Sequence, residues 1–506
     1  MAEPIYVGLQ KQLFLDDYII DEMRNVSRTF NPAEKHSGNP VLHSEKGKWD
    51  QWAIPTPMPA GTVLYDEKEG VFKMWYLVWE GDTSHSYKSW WLTCYAVSKD
   101  GLVWEKPNIG LFEYKGSRSN NIVIAEDMQS VIPSPDGSDP QRRYQMIYTI
   151  TNKEFGGYGF CFSPDGVNWT VYPEPHFDKE ADVAPTIFDE LTGRYVSFMK
   201  VNRKVGRWIR RLVGISFSDD FVRWSKPQII LAPDEKDDEM ADARIVAASD
   251  LLLYDNPWEH RTEFYSMAGF PYEGLYLGLL WVFSASGPTP DGGNQDGTIE
   301  VQLTSSRDLL HWKRVGERMA IIPCGMCGQW DHGMVGTLSR PLIVGDEIWI
   351  YYVGLNMTHG AEIYYVPGVL PPERIWGIGL AVIRSDGFIS IDAGEEGTLT
   401  TKPCIFDGQE LVINALTKTK RGWVRVEVLD ERGQAIQGLD CGSCDAFTGD
   451  EVRHTVTWRG NPDISSLRGK IVRLRFYLKE AKLYSFAFRT ACFPADSEIC
   501  KRLCKS

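Results

Sequence analysis

The sequence predicts an all-β chain: a five-bladed β-propeller over residues 1–393, a C-terminal β-sandwich over 394–490, and a tail over 491–506. Three observations predict it. A short motif, Ser-x-Asp-Gly-x-x-Trp, recurs along most of the chain. The same succession of apolar and aromatic strands precedes each copy. After about residue 394 both give way to short alternating segments.

The motif appears as SKDGLVW (Ser98–Trp104), SPDGVNW (Ser163–Trp169), SDDFVRW (Ser218–Trp224) and SRDLLHW (Ser306–Trp312). A fifth copy, RSDGFIS (Arg384–Ser390), keeps Asp-Gly and loses the Trp. Self-similarity at such intervals marks a repeat architecture. Asp accepts backbone N–H bonds in a turn and Gly supplies positive φ, so Asp100, Asp165, Asp219 and Asp386 read as scaffold rather than chemistry.

Each copy follows an apolar strand, a turn and an aromatic strand. These are Thr62–Asp66 with Phe72–Trp79, Tyr144–Ile150 in the second unit, and Thr186–Val201 in the third. The fourth unit reads as LLLYD (Leu251–Asp255) followed by EFYSMAGF (Glu263–Phe270), and the fifth as Pro341–Gly354. Such β-branched and aromatic runs between turn residues form antiparallel hairpins, and no helical periodicity of useful length stands out. Radial repetition of four-stranded units protects sheet edges. Beyond 394, LVINAL, GWVRVEVLD, RHTVTW, KIVRLRFYLK and LYSFAFRT read as sandwich strands.

Composition narrows the partners. Hydrophobic residues make up 43% and charged residues 24%, the balance of an ordinary globular chain, while 18 Trp suit aromatic-rich strands or sugar-stacking surfaces. A net charge of −14 without a basic run excludes a nucleic-acid partner. Apolar runs such as Leu275–Phe283 are too short to cross a bilayer, so no membrane partner is expected. The start MAEPIYVGLQKQLFLDDYIID has no basic segment leading into an apolar one, so a cytoplasmic location is expected; a secreted chain stripped of its leader would read alike. Two CxxC pairs, Cys324/Cys327 and Cys441/Cys444, have the spacing of zinc ligands but fall in different predicted domains. Free thiols, no metal and no cofactor are expected. The sandwich reads as a packed accessory domain compatible with a homo-oligomer.

Several stretches carry a resemblance: LFLDDYII (Leu13–Ile20), Gly61–Tyr76, FPYEGLYLGLLWVF (Phe270–Phe283), WDHGMV (Trp330–Val335), Gly345–Gly354 and Leu467–Phe488. The chain resembles bacterial proteins described as glycoside hydrolase family 32-like, relatives of the propeller families 32, 43, 68 and 130. The family-32 signatures Asn-Asp-Pro-Asn-Gly, Arg-Asp-Pro and Glu-Cys are absent. Asp182, in DVAPTIFDE, stands where the Asp of Arg-Asp-Pro would.

The resemblance implies that the catalytic carboxylates lie on the face where the first strand of each blade begins and the second ends. Strand starts offer Asp50, Asp127, Asp182 and Asp331, and second-strand ends offer Glu80, Arg203, Glu273 and His359; Glu239 and Asp242 precede the fourth blade. Glycoside hydrolysis needs one protonated carboxyl and one carboxylate. Glu273, among Phe270, Pro271, Tyr272, Leu275 and Tyr276, is the candidate general acid; Asp182 is the second carboxylate and Asp331 the third. Trp49, Trp52, Trp79, Tyr272 and Trp330 are candidate stacking residues, with His332 beside them. No Gly-x-Ser-x-Gly, His-Glu-x-x-His, P-loop or dinucleotide fingerprint is present. The expected function is a glycosidase acting on an oligo- or polysaccharide. The alternatives are a silent carbohydrate-binding propeller and a phosphorylase using Arg203, Lys200, His332 and Arg340.

Overall fold

The computed structural model describes residues 3–50, 53–55, 61–80, 91–135, 137, 139–150, 157–173, 177–178, 182–290, 292, 294–363 and 375–490. Among them β-strands dominate, and no helix is long and apolar enough to cross a membrane.

Up to Arg384 the strands form antiparallel meanders. The first runs Gly61–Asp66, Val71–Glu80, Trp91–Ser98, Ile122–Ile124, with Ala53–Pro55 on the far end of its second strand. The second runs Asp127–Pro133, Tyr144–Ile150, Gly157–Ser163, Thr170–Val171. The third runs Thr186–Asp189, Arg194–Val205, Trp208–Ser218, Gln228–Leu231. The fourth runs Arg261–Tyr272, Leu275–Pro288, Gln295–Ser306, Trp312–Arg314. The fifth runs Met334–Thr337, Glu347–Leu355, Trp376–Arg384, and its outer strand is Glu34–Lys35 from the start of the chain. One parallel bridge, Ile299↔Met334, joins the last two meanders.

Small hydroxyl and amide contacts link the first strands of the first three meanders in turn. Val131 N–H donates to Thr62 Oγ1 at 3.0 Å, Thr186 N–H to Ser130 Oγ at 2.9 Å, and Ala184 N–H to Gln129 Oε1 at 2.9 Å. Ser339, after the fifth first strand, returns to Thr62 with hydroxyls 2.8 Å apart.

In its first four copies the recurring motif caps the turn after the third strand, whereas the Asp386 carboxylate of the fifth turns to Lys11, Tyr272, Asn414 and Ser485. In the first copy Asp100 Oδ1 accepts the N–H groups of Leu102 and Val103, both at 2.8 Å, Gly101 N–H donates to Ser98 Oγ, and Trp104 Nε1 donates back to Gly101 O. In the third copy the capping acid is Asp220, not Asp219, which pairs with Arg194 instead. Phe221 and Leu309 replace the motif glycine at φ +69° and +66°, a costly region for a side chain. Both rings and branches are buried against neighbouring sheets, which offsets that cost.

Two elements differ from the sequence reading. Leu251–Asp255 is not a strand; the N–H groups of Leu253 and Tyr254 are held by the Asp296 carboxylate at 2.7 and 3.0 Å. Arg261–Tyr272 is therefore the first strand of its meander, and everything after it shifts by one strand. An unexpected helix, Glu235–Ala247, precedes it. It lacks an apolar stripe and is held by an Asp234/Asp237 capping box and by ion pairs: Arg210–Asp238, Arg314–Asp237 and Arg244–Glu300, each 2.8 Å.

The C-terminal strands form two sheets. One orders Asp450–Thr455, Glu410–Thr417, Ala481–Arg489, Ile389–Ala393, Ser27–Phe30, with Gln12–Leu13 beside Ala481–Arg489; the other orders Ile20–Arg24, Gly397–Thr401, Arg473–Lys479, Trp423–Leu429. Ile5–Gly8 pairs with Cys404–Phe406. Arg473–Lys479 alternates half-buried and buried positions, as a one-sided strand does. Phe476 meets Phe486 across the two sheets at 5.4 Å. The expected division at residue 393 thus fails at both ends. The N-terminal strands as far as Phe30, and Ile389–Ala393, pair with the C-terminal sheets, because partners some 400 residues away leave no local pattern.

Candidate functional site

Each meander has two ends. At the entry end the first strand begins and the second finishes; at the hairpin end the first turns into the second. Three of the four expected strand-start aspartates meet a lysine at the entry end. Asp50 pairs with Lys106 at 2.5 Å, Asp182 with Lys200 at 2.5 Å, and Asp331 with Lys35 at 2.6 Å. The fourth, Asp127, accepts from Gln129 Nε2 at 2.9 Å. Asp331 also accepts from Tyr352 Oη at 3.0 Å, and Trp330 stacks on the Tyr352 ring at 5.6 Å. Asp50, Asp127 and Asp331 are buried; Asp182 is 40% exposed.

The densest chemistry surrounds Asp182. Lys200, on the second strand of the third meander, reaches Asp182 while its Nζ lies 4.3 Å from the Tyr265 ring centre. Arg211, from the adjacent third strand, lies 5.2 Å from the same ring and pairs with Glu263 at 2.5 Å. Glu263 also binds Arg261 at 2.8 Å. Burial alone would raise the Glu263 carboxyl, but Arg211 and Arg261 hold it below the usual range. Burial drives the Lys200 ammonium downward, against the pull of Asp182.

His359 completes this group. Its Nδ1 lies 2.7 Å from Gln295 O, which only accepts, so Nδ1 carries the proton; Nε2, 3.1 Å away, accepts from Tyr265 Oη. Burial, then the Arg211 and Lys200 charges, press its pKa down to about 3, so the ring is neutral.

Glu273 is not here. It and Gly274 form the two-residue hairpin between Arg261–Tyr272 and Leu275–Pro288, with φ +49° and +78°. Ten residues of strand separate it from Glu263, about 33 Å at the usual rise. It pairs with Lys11 at 2.6 Å, which also binds Asp386 at 3.0 Å. Tyr272 likewise turns to the hairpin end, its Oη donating to Asp386 at 2.7 Å. The expected acid and stacking roles of Glu273 and Tyr272 at the entry end are overturned by the one-strand shift.

Arg203 is exposed near the end of the second strand, opposite Arg210, its guanidinium donating to Asn202 O at 2.9 Å. Trp49 donates to Asn121 Oδ1 at 2.9 Å and packs edge-on against Tyr114, a framework role. His332 is half-buried beside Asp331. Asp242, on the unexpected helix, meets His260 at 2.9 Å. Arg340 lies at the hairpin end with Glu190, on a cavity of about 220 Å³ that Thr62, Thr186 and Ser339 also line. Trp52 and the side chains of Trp79 and Glu80 fall outside the described residues, as do residues 81–90, 151–156 and 364–374.

One acid escaped the sequence reading. Burial pushes the Glu126 carboxyl up to about 7, close to Tyr148 and Cys161, while its neighbour Asp127 points to Gln129. Nothing in AEDMQS distinguishes the two acids; in the structure Asp127 accepts from Gln129, whereas desolvation alone acts on the Glu126 carboxyl.

A cavity of about 800 Å³ lies elsewhere, between the outer strands of the fifth meander and the C-terminal sheet, lined by Glu34, Asp346, Arg384, Asp450, Arg453 and Lys482 among others. Its charges are mutually paired, as in Arg453–Asp346 and Arg384–Asp450. No group of His, Cys, Asp and Glu able to hold a metal ion occurs among the described residues.

No protein-family model matches the chain, and no curated protein sequence matches it. Solved structures do. A protein described as a glycoside hydrolase is 14% identical, covering 70% of this chain and 92% of its own, with a TM-score of 0.43. An N-acetylgalactosamine deacetylase from F. plautii, in complex with blood group B trisaccharide, is 14% identical over 72% of this chain and 96% of its own, with a TM-score of 0.43. A structure from the family-130 mannoside phosphorylases, described as containing glycoside hydrolases that target β-1,2 mannosidic linkages in Candida mannan, is 13% identical over 70% and 94%, with a TM-score of 0.39.

Proposed function

We propose that the chain is a carbohydrate-processing enzyme, a glycosidase, whose five meanders are the blades of a propeller and whose entry end holds the active site. In this reading the C-terminal sheets, with the N-terminal strands added to them, form an accessory sandwich. The contacts that link the first strands and bring Ser339 back to Thr62 support the propeller. The observation that carries the function is the gathering of Asp182, Lys200, Arg211, Glu263, Tyr265 and His359 at the end where Asp50, Asp127 and Asp331 also lie. In the proposed mechanism Asp182, the half-exposed member, is the carboxylate that attacks the anomeric carbon or activates water. Asp331 remains the third acid, with Trp330 beside it as the stacking surface. The proton-donor role passes from Glu273 to Glu126, since an acid poised near neutral pH can deliver a proton to a leaving oxygen.

The test is a panel of aryl glycosides and plant or algal oligosaccharides, with products followed by NMR and phosphate omitted. The expected outcome is sugar release that falls about 10²–10⁴-fold in Asp182→Asn. Binding without turnover across the panel would instead leave a silent carbohydrate-binding propeller.

A further inference from the structure

We infer that Trp258 is an outer stacking platform for a sugar chain leaving the entry end, so that the substrate carries further rings beyond the one bound at Asp182. This rests on the carbohydrate reading above and adds to it a residue that sets chain-length preference.

Trp258 is 78% exposed, more than any other large apolar side chain among the described residues. Leaving an indole in water forgoes the burial that places most tryptophans in cores or at interfaces. A frayed loop tip would explain such exposure, but this backbone is pinned. Trp258 opens outward from the turn Pro257–Glu259, where its N–H donates to Asn256 Oδ1 at 3.2 Å and Asn256 N–H donates to Ser286 O at 2.8 Å. Arg207, from the neighbouring meander, donates to Trp258 O. The Glu259 carboxylate accepts from Trp208 Nε1 at 3.0 Å and pairs with Arg261 at 3.5 Å. Trp208 is itself clasped, with the Arg207 and Arg210 guanidinium carbons 4.2 and 4.7 Å from its ring centre. Its nitrogen and its ring are thereby engaged. No ring or cation meets the Trp258 indole among the described residues. An open aromatic face on a fixed backbone is preorganised, which lowers the ordering cost of binding.

Its position supplies the ligand. Trp258 immediately precedes the strand Arg261–Tyr272, which begins at the entry end. Arg207 is at the tip of the hairpin whose ladder carries Lys200 and Arg211, the neighbours of Asp182. Along that hairpin Trp208 and Arg211 are separated by about 10 Å at the usual rise. Trp258 is therefore too far out to touch the ring at Asp182, and a later ring of the same chain reaches it. A pyranose presents an apolar C–H face and an edge of hydroxyls. The indole takes the face, and Arg207, exposed beside it, has donors for the edge.

The full chain is assayed on 4-nitrophenyl glycosides and on cello-, manno-, xylo- and laminari-oligosaccharides of increasing length. Retardation in gels carrying the matching polysaccharides gives a binding readout that needs no turnover. KM of the parent should fall with chain length in the series it accepts. Trp258→Ala should raise KM about 2–12-fold on the longer members at constant kcat, the contribution of one aromatic contact. The rise should shrink toward the single-ring glycoside, and retardation in the gel should weaken. Trp258→Tyr keeps a flat aromatic face and should recover most of the loss. A Trp258→Ala chain that matches the parent at every length overturns the platform and leaves the carbohydrate reading in place. So does a parent indifferent to length, or an equal loss at every length, which makes the indole part of the frame. A parent that neither cleaves nor is retarded by any of these sugars overturns both.

Discussion

The two ends of the meanders use the same acidic residues for opposite purposes. At the hairpin end, carboxylates act as latches between neighbouring units. Asp66 accepts from Tyr144 Oη of the next meander at 2.6 Å, Asp189 from Tyr276 at 2.9 Å, and Asp386 from Tyr272 at 2.7 Å. Tyr144 and Tyr276 stand at the start of the second strand of their meanders, and Tyr272 closes the first strand of the fourth. At the entry end the acids pair with lysines and arginines, as Asp66 and Asp386 also do with Lys73 and Lys11, but the pairs follow no repeat: Lys106 follows a turn motif, Lys200 sits mid-strand, and Lys35 comes from the N-terminal strand. Repetition marks what the architecture needs. Irregular charge pairs gathered at one end mark what it is spared for.

This contrast can be broken, and the largest expected effect is catalytic. With Glu126 as proton donor, activity falls as pH rises through about 7, because only the protonated carboxyl serves. Glu126→Gln should lose about 10²–10⁴-fold on substrates with poor leaving groups and much less on activated aryl glycosides. A pH–rate profile without a falling limb near 7 would remove Glu126 from the role.

At the hairpin end the expected losses are in stability. Asp386 is fully buried, and Lys11, Tyr272, Asn414 and Ser485 all bind its carboxylate. Asp386→Ala should cost about 3–5 kcal/mol in urea unfolding, since it strands these partners. Burial opposes its charge, but Lys11 and Tyr272 hold the carboxyl below its usual range. Its contribution is therefore present above about pH 4 and lost as pH falls through the lower folded value. A loss under about 1 kcal/mol would mean the latch is ornamental.

His359 gives a pH-dependent effect of opposite origin. Its folded pKa of about 3 lies below the ordinary 6.5, so the unfolded chain takes up a proton that the folded chain refuses. Stability falls as pH drops from 6.5 toward 3, by up to about 1.4 kcal/mol per unit. His359→Gln should flatten the Tm–pH curve between 4 and 6.5 relative to the parent; unchanged curvature would contradict a buried neutral ring. Glu273→Gln should cost least, below about 1 kcal/mol, because its pair with Lys11 is one-third exposed.

Much of the fold was legible because turn chemistry is local. Ser98, Asp100, Gly101 and Trp104 hydrogen-bond to one another within their own turn, with Tyr351 Oη also donating to Gly101 O, so the motif states its structure largely from local contacts. The fourth meander misled because Leu251–Asp255 imitates an apolar first strand. The motif held the remedy: it follows the third strand in the other copies, and counting back from Ser306 makes Arg261–Tyr272 the first. The helix Glu235–Ala247 was hidden because arginines from other elements hold it in place of an apolar stripe, although Asp-x-x-Asp at its start was a usable signal. At the candidate site, Asp182, Asp331 and His359 followed from position in the repeat. Glu126 and Glu263 did not, since one is set apart by desolvation acting on its carboxyl alone and the other by two arginines from different strands.

The claim that function resides at the entry end is tested most directly by one paired assay. Asp182→Asn and Glu273→Gln are compared on the same oligosaccharide at neutral pH, each checked by its unfolding curve. The account predicts a loss of at least about 100-fold for Asp182→Asn and less than about threefold for Glu273→Gln. A large loss in folded Glu273→Gln, with Asp182→Asn near the parent rate, would place the chemistry at the hairpin end and contradict it.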